Sequence, residues 1–539
     1  MHAIFSLSKR EVLRLQQRFS GGVSPLAVLL LLGLIGLSAF AFRGTTVLGD
    51  GLYRAAVSGD VPQIDDGRFE VVQVSNPAQG QDLLKRGAVD VFIQGSSVYA
   101  REGNAKSQYA LRALKSSLEQ KELARVGSGY PYNQAFPLRV EVQTLDPLEA
   151  QAPGGGPAAA TTETIIPSLT PPPAPFTQVL VALLFILPVT FISIFFTGSF
   201  MDEKVNRRLV ILLSTPVTPL QIILGKLLPY TLFATAATCV IAVLTHASLP
   251  LALAIYTPTT LFIFAIYLMV PMFYRTYKDT TFISMMVTTL TTAYLVFPAM
   301  FTGTSELAYM SPLTLAVKMY RGEEFGWREY LFPSLPMLVV FGLALYAGTR
   351  LLNEEFLMGY RPIMRKAQDA IFLALNRRRP YLSIGLLSGL AVPVVYVMQL
   401  VLLAIATNLP AGVMLMATLF ASVLVEEVVK SMGIKVLVER GVVRSWRGLF
   451  GLAAVSALGF LVGEKLLLFT SLSAVTDSPV SGLIFNAGGL LLVPLAAHFV
   501  FTILVSLLAL KVKIRYSAAL IVVAVLHALY NWTLMGGLG

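Results

Sequence analysis

Along this chain the apolar residues gather into long blocks rather than alternating with polar ones. A membrane-spanning helix takes about 20 mostly apolar residues. Blocks of that kind run over 25–42, 177–198, 222–245, 249–273, 280–302, 330–349, 382–407, 410–432, 449–470, 483–510 and 516–536. The pattern predicts an all-α polytopic membrane protein of about eleven transmembrane helices. The first block follows Lys9, Arg10, Arg14 and Arg18 and is closed by Arg43 without a good small-residue cleavage site. It therefore reads as a retained helix and not as a signal peptide.

Three stretches have a different character. Residues 44–145 read as one small α/β domain between the first and second helices. Within it, Phe69 to Val74 and Val89 to Gln94 read as strands, Gln81 to Arg86 as a short helix. Leu111, Leu114, Leu118 and Leu123 give Lys106 to Arg125 helical spacing. Residues 146–175, rich in Pro, Gly, Ala and Thr, read as a semi-extended linker. Residues 353–380 carry Glu354, Glu355 and Arg377-Arg378-Arg379-Pro380 and read as a cytoplasmic connector. They separate a six-helix portion, 1–352, from a five-helix portion, 381–539.

Composition agrees with lipid as the solvent. Of 539 residues, 55% are hydrophobic and 13% charged, with mean hydropathy +0.71. A soluble domain carries about 25% charged residues, so an ordinary cytosolic enzyme and a disordered chain are both excluded. The net charge of +11 needs a separate explanation. With the N-terminus in the cytoplasm, about 24 of the 41 Lys/Arg fall in or beside cytoplasmic segments, and the loops 407–410 and 471–482 have none. The excess is topology, and nucleic acid drops out as a partner. The expected location is the cell (plasma) membrane, multi-pass, with 44–175 extracytoplasmic. The single cysteine, Cys239, excludes a disulfide or a cysteine metal cluster.

Two segments carry candidate chemistry. After the second helix, Glu203, Lys204, Arg207 and Arg208 alternate with Val205, Leu209, Leu212 and Leu213, as in an amphipathic helix at the membrane surface. Leu212-Leu213-Ser214-Thr215-Pro216 and Gly225-Lys226-Leu227 follow. This run resembles the cytoplasmic loop of type-2 ABC exporter permeases. The outer domain and six-helix layout of 1–352 resemble their NatB-like subgroup. The resemblance implies that Glu203, Lys204, Arg207 and Arg208 dock a separate ATPase subunit, and that the permease half forms a homo- or heterodimer. No phosphate-cradling Gly-x-x-x-x-Gly-Lys-Ser/Thr surrounds Gly225-Lys226, so ATP enters only through that partner.

The second segment is the last five helices. A charge at a helix centre costs roughly 2.5–3.5 kcal/mol on insertion scales, so its presence calls for a function. Glu426, Glu427 and Lys430 lie in one predicted helix, Glu464 and Lys465 in the next, then His498, then His527 and Asn531. Counting from the basic residues at the cytoplasmic face places Glu426 roughly 15 Å deep and Glu464, His498 and His527 roughly 18–20 Å. Glu426 and Lys430, Glu427 and Lys430, and His527 and Asn531 each share a helix face. Carboxylates and imidazoles in a lipid-shielded layer suit hydrolysis: a glutamate takes a proton from water, histidines hold a metal or an oxyanion, and an amide donates to that oxyanion. Buried structural ion pairs and a proton or ion relay remain open beside it.

Glu426-Glu427-x-x-Lys430, Phe460-x-x-x-Glu464, His498 and His527-x-x-x-Asn531 together resemble the PrsW branch of glutamate intramembrane proteases. These are relatives of the CAAX- and bacteriocin-processing (CPBP) enzymes. The wider family has E-E-x-x-x-R and F-x-x-x-H, so Lys430 stands one place early and Glu464 replaces a histidine. Lys465 stands where PrsW-like chains often have Asn. The resemblance implies a peptide or membrane-protein substrate, with Glu426 or Glu427 activating water and the other held by Lys430. Glu464, His498 and His527 would line the site, as metal ligands if zinc is used, and Asn531 would donate to the oxyanion. The rival expectation is a permease alone, with 381–539 a non-catalytic accessory or ion relay.

Overall fold

The structure is a computed structural model that describes residues 2–20, 33, 35–36, 51–59, 64–95, 97–101, 104–126, 141–145, 176–303, 306–406, 409–475 and 489–536. The expected linker at 146–175 lies outside these residues, as does the first expected span, 25–42, apart from three positions. Among the described residues, nine helices are long and apolar enough to cross a membrane: 183–205, 219–244, 249–273, 277–299, 327–351, 380–403, 446–467, 493–510 and 516–533. A further long helix, Ala411–Glu439, carries the Glu426, Glu427 and Lys430 charges at its middle. The chain is an all-α polytopic membrane protein with one small α/β domain.

By contacts the chain divides into two compact units: 1–40, 182–297 and 324–538 in one, and 41–181 with 298–323 in the other. The second unit holds a five-stranded sheet. Strands β1 (Tyr53–Ser58), β2 (Phe69–Gln73), β3 (Val91–Gln94), β4 (Ser97–Arg101) and β5 (Glu141–Leu145) lie in the order β2-β1-β3-β4-β5. All neighbours are parallel except the β3–β4 hairpin. Helices α2 (Pro77–Lys85) and α3 (Ala105–Val126) serve separate apolar clusters. Leu84 packs with Ala56, Val89 and Phe92, while Ala110 and Leu114 pack with Ala55, Val57, Val91 and Ile93. Alternation along β1 thus feeds both sides of the sheet. Asn76 caps α2 by accepting from the Ala78 N–H. The 298–323 stretch, with helix α9 (Leu313–Arg321), joins this unit through Tyr53, which donates to the Gly303 carbonyl at 2.9 Å. Arg68, paired with Asp66 at 2.7 Å, also reaches Glu323 at 3.3 Å.

The other unit begins with an amphipathic helix, α1 (His2–Ser20), followed by α4 (Phe176–Val205), α5 (Arg208–Leu213), α6 (Pro219–Leu244), α7 (Leu249–Phe273) and α8 (Tyr277–Ala299). Next come α10 (Trp327–Leu351), the connector helices α11 (Glu354–Met358) and α12 (Ile363–Ala374), then α13 (Pro380–Leu390) and α14 (Val392–Ala406). It ends with α15 (Ala411–Glu439), α16 (Trp446–Val475), α17 (Gly489–Leu510) and α18 (Tyr516–Gly536). Two departures from expectation have physical causes. The predicted helix 382–407 breaks at Ala391, because Pro393 has no N–H to offer the Gly389 carbonyl and its ring crowds that carbonyl. The predicted surface helix after the second span is reduced to α5. Lys204 and Val205 belong instead to α4, and Arg207 adopts a left-handed turn (φ 55°) between the two.

Helices α13 and α16 meet through small residues. A Cβ built on Gly459 would stand 2.2 Å from the Gly385 carbonyl oxygen, and one on Gly463 would stand 2.5 Å from that of Gly389. Both sequences read Gly-x-x-x-Gly, the spacing that lets helix backbones touch in lipid. Ser388 and Ser456 hydrogen-bond across the same seam at 2.8 Å. Because backbone cannot move aside as a side-chain tip can, Gly459→Ala should destabilise the bundle by about 1–3 kcal/mol, the usual cost of overpacking. Thermal unfolding in detergent measures this, with the exposed Gly342→Ala as the control.

Candidate functional site

Helix α15 brings its three charges to the middle of the carboxy-terminal bundle, where α16, α17 and α18 close around them. Glu427 and Lys430 are fully buried, at i,i+3 spacing, with Oε1 to Nζ 2.6 Å. The same Oε1 lies 2.9 Å from Nδ1 of His527 on α18, and Glu427 Oε2 has no hydrogen-bond partner among the described residues. Lys430 Nζ also lies 3.1 Å from Nδ1 of His498 on α17 and 4.9 Å from the centre of the Phe460 ring on α16. His498 Nε2 lies 3.2 Å from Glu464 Oε2, and Lys465 lies 3.6 Å from the other Glu464 oxygen. The centre is a chain of polar contacts: His527, Glu427, Lys430, His498, Glu464.

Glu426 stands beside this chain. Its carboxylate accepts from Gln399 of α14 at 3.1 Å and lies 3.9 Å from Lys430, keeping some exposure that Glu427 lacks. One Glu426 oxygen and one nitrogen from each of His498 and His527 all lie within 4.8 Å of one another. Sequence reasoning expected Glu464 to complete that trio. Here Glu464 instead binds the far ring nitrogen of His498, as Glu427 binds one ring nitrogen of His527. A carboxylate bound to one ring nitrogen fixes the tautomer and orientation of the imidazole. Aromatic rings fix the rest: Phe501 stacks on His527 at 4.4 Å, and Phe460 meets His498 edge-on at 5.4 Å. Asn531, one turn beyond His527, is half-buried.

The donor set suits a divalent cation by residue type, two imidazoles and a carboxylate. The charges do not fit. The Lys430 ammonium already lies against His498 Nδ1, and Nε2 of that ring faces Glu464, so a metal ion on His498 would displace one of these contacts. Lys430 already brings a positive charge to the arrangement. The site holds one screened carboxylate, Glu426, next to two oriented imidazoles.

The amino-terminal candidates divide. Glu203 pairs with Arg14 and, at 3.1 Å, with Lys226. Lys226 also binds Glu11 at 3.0 Å, which further accepts from Tyr230 at 3.1 Å and from Ser199. Burial works to raise the Glu11 carboxyl, but Lys226 and these donors hold it below its ordinary value. Lys204 is buried and donates to the Pro271 and Tyr274 carbonyls at 2.6 and 2.8 Å, at the end of α7. Those carbonyls have no partner within their own helix, and a cation there also meets the negative end of the helix dipole. Arg207 and Arg208 alone face solvent, with Arg208 3.9 Å from Asp202. Sequence reasoning missed Glu11 and Gln399. Each is one polar residue in an ordinary-looking helix, with no spacing signal to single it out.

Neither a curated protein nor a solved structure matches the chain. Residues 23–351 match the family described as ABC-2 family transporter protein, which covers more than half of the chain and all the described helices from α4 to α10. A permease of this type works in the membrane with an ATPase subunit as its partner. The chain belongs to the ABC-2 family of transporter proteins.

Proposed function

We propose that the chain is the permease subunit of an ABC exporter whose carboxy-terminal helices cut peptide bonds inside the membrane. The observation that carries the second part is the convergence of Glu426, Glu427, Lys430, His498 and His527 from three helices. Five ionisable side chains are expensive in lipid, and they meet in one layer. Lys430 binds Glu427 at 2.6 Å and Glu426 only at 3.9 Å, which supports separate roles for the two glutamates. Glu426 takes a proton from a water molecule as that water attacks the peptide carbonyl. Glu427 holds Lys430 and His527 in place. Asn531 donates to the oxyanion, and the proton carried by Glu426 passes to the leaving amine. The reaction runs without a metal ion, Lys430 supplying the positive charge.

The exposed pair Arg207 and Arg208 captures the ATPase subunit, and the distribution of basic residues supports a cytoplasmic N-terminus with 44–175 outside. Two permease halves form the transport path. The tight pairing of Glu427 with Lys430 favours one other reading, a non-catalytic accessory bundle or an ion relay, since structural ion pairs look the same.

Four outcomes test these readings. Glu426→Gln should slow cleavage of a transmembrane peptide library about 10²–10⁴-fold, the usual loss with a general base, while thermal unfolding stays unchanged. A variant that cuts normally, or that loses transport and never cut, supports the other reading. Treatment with a zinc chelator should leave cleavage intact, whereas Glu427→Leu should lower stability by about 3–5 kcal/mol by stranding Lys430. Charge reversal at both Arg207 and Arg208 should abolish co-purification of a co-expressed ATPase subunit while detergent elution is unaltered. Unchanged capture would make this loop an anchor.

A further inference from the structure

Between α10 and α13 the connector folds into a cleft of about 230 Å³, reached also by Arg440 just after α15. Four cations line it: Arg361, Lys366, Arg377 and Arg440. Only two carboxylates face them, Asp369 and Glu355, and both are already engaged. Asp369 is shared by Arg361 and Arg440, and Glu355 lies 3.4 Å from Arg361. Arg377 has no carboxylate within ion-pair distance among the described residues. Its guanidinium lies 4.7 Å over the Phe372 ring, which also carries Arg440 at 5.2 Å. Burial, with Arg275 nearby, pushes the Lys366 ammonium below its ordinary value. The cleft thus has an excess of two positive charges and two guanidinium groups held by one ring in fixed planes.

Its height in the membrane is set by its neighbours. Lys366 Nζ donates at 3.0 Å to the carbonyl of Phe273, the last residue of the 249–273 span. Asn353 follows the end of the 327–351 span and Pro380 opens the next one. The outer side of the connector exposes Tyr360, Ile363 and Met364, of which Tyr360 is 88% exposed. Exposed aromatic and aliphatic side chains beside arginines at a span's end belong at the boundary between headgroups and acyl chains. A site for a dissolved anion has no use for that apolar border.

We propose that this cleft binds the phosphate headgroup of an anionic phospholipid. The guanidinium groups of Arg361, Arg377 and Arg440 meet the phosphate oxygens through paired N–H donors, which suits arginine better than lysine. The acyl chains lie along Ile363 and Met364. The site is independent of the hydrolytic reading, because none of its residues touches the buried centre.

The test uses the full chain in detergent carrying equal phosphatidylglycerol and phosphatidylcholine, with bound lipid counted by native mass spectrometry. Wild type should retain phosphatidylglycerol preferentially. Arg377→Gln, which breaks no ion pair, should cut that retention roughly fivefold, as one interfacial charge is worth, and Arg377→Lys should restore part of it. Equal retention of the two lipids by wild type would overturn the proposal, as would undiminished phosphatidylglycerol on Arg377→Gln. Inorganic phosphate shares the headgroup chemistry. If it displaces the lipid at equal concentration, the ligand is a free phosphate and the lipid assignment falls.

Discussion

A charge inside a membrane bundle is stable only where another group answers it, and this requirement organises both halves of the protein. In the carboxy-terminal helices the answer is a chain of contacts through Lys430. Glu427 neutralises it, His498 and Phe460 enclose it, and the next polar groups, His527 and Glu464, attach at the two ends. Removing any link leaves a buried polar group unpaired, so α15, α16, α17 and α18 are held in one register by polar contacts as much as by packing. Apolar helix faces slide easily in lipid, because the tails are as apolar as the side chains. A point charge fixes depth.

The same constraint explains the amino-terminal half. Lys204 ties α4 to the end of α7, and Lys226 ties α6 to both α1 and α4 through Glu11 and Glu203. Glu11 lies on the amphipathic helix α1, yet its carboxylate is as deeply involved as any in the spans. The close approach of α1 to α6 is possible because position 225 is glycine: a Cβ there would stand 2.6 Å from the Leu7 Cβ. Ser8 then donates to the Gly225 carbonyl at 2.9 Å. Small residues and a hydroxyl contact recur at the α13–α16 seam, with Gly385, Gly389, Gly459, Gly463 and the Ser388–Ser456 bond.

These two features separate what the protein can spare from what it cannot. Glu203 and Lys204 share their stretch of sequence with Arg207 and Arg208, yet the first two hold helices together and the last two face water. In the second half Glu426 and Glu427 are adjacent in sequence and differ in the same way. One is bound by Lys430 and His527, and the other accepts from Gln399 and lies at the outer reach of Lys430. Neighbouring residues on a helix point about 100° apart, so the surrounding helices assign their roles.

The sequence by itself determined the spans, since a block of about 20 apolar residues has no other stable solvent. It also determined that Glu426, Glu464, His498 and His527 would share a layer, because depth follows from counting residues along helices of fixed rise. The strand and helix pattern of Phe69 to Arg86 and of Lys106 to Arg125 was legible for the same reason: period alone distinguishes the two. Only the tertiary structure decided which glutamate binds Lys430, that Glu426 rather than Glu464 forms a cluster with both histidines, and that Glu203 and Lys204 are buried. Those outcomes depend on rotation of each helix about its axis and on partners far away in the chain, such as Glu11 for Lys226. The short strands β1, β4 and β5 escaped for a related reason. They are six, five and five residues long, and their pairing is set by a sheet assembled from distant segments.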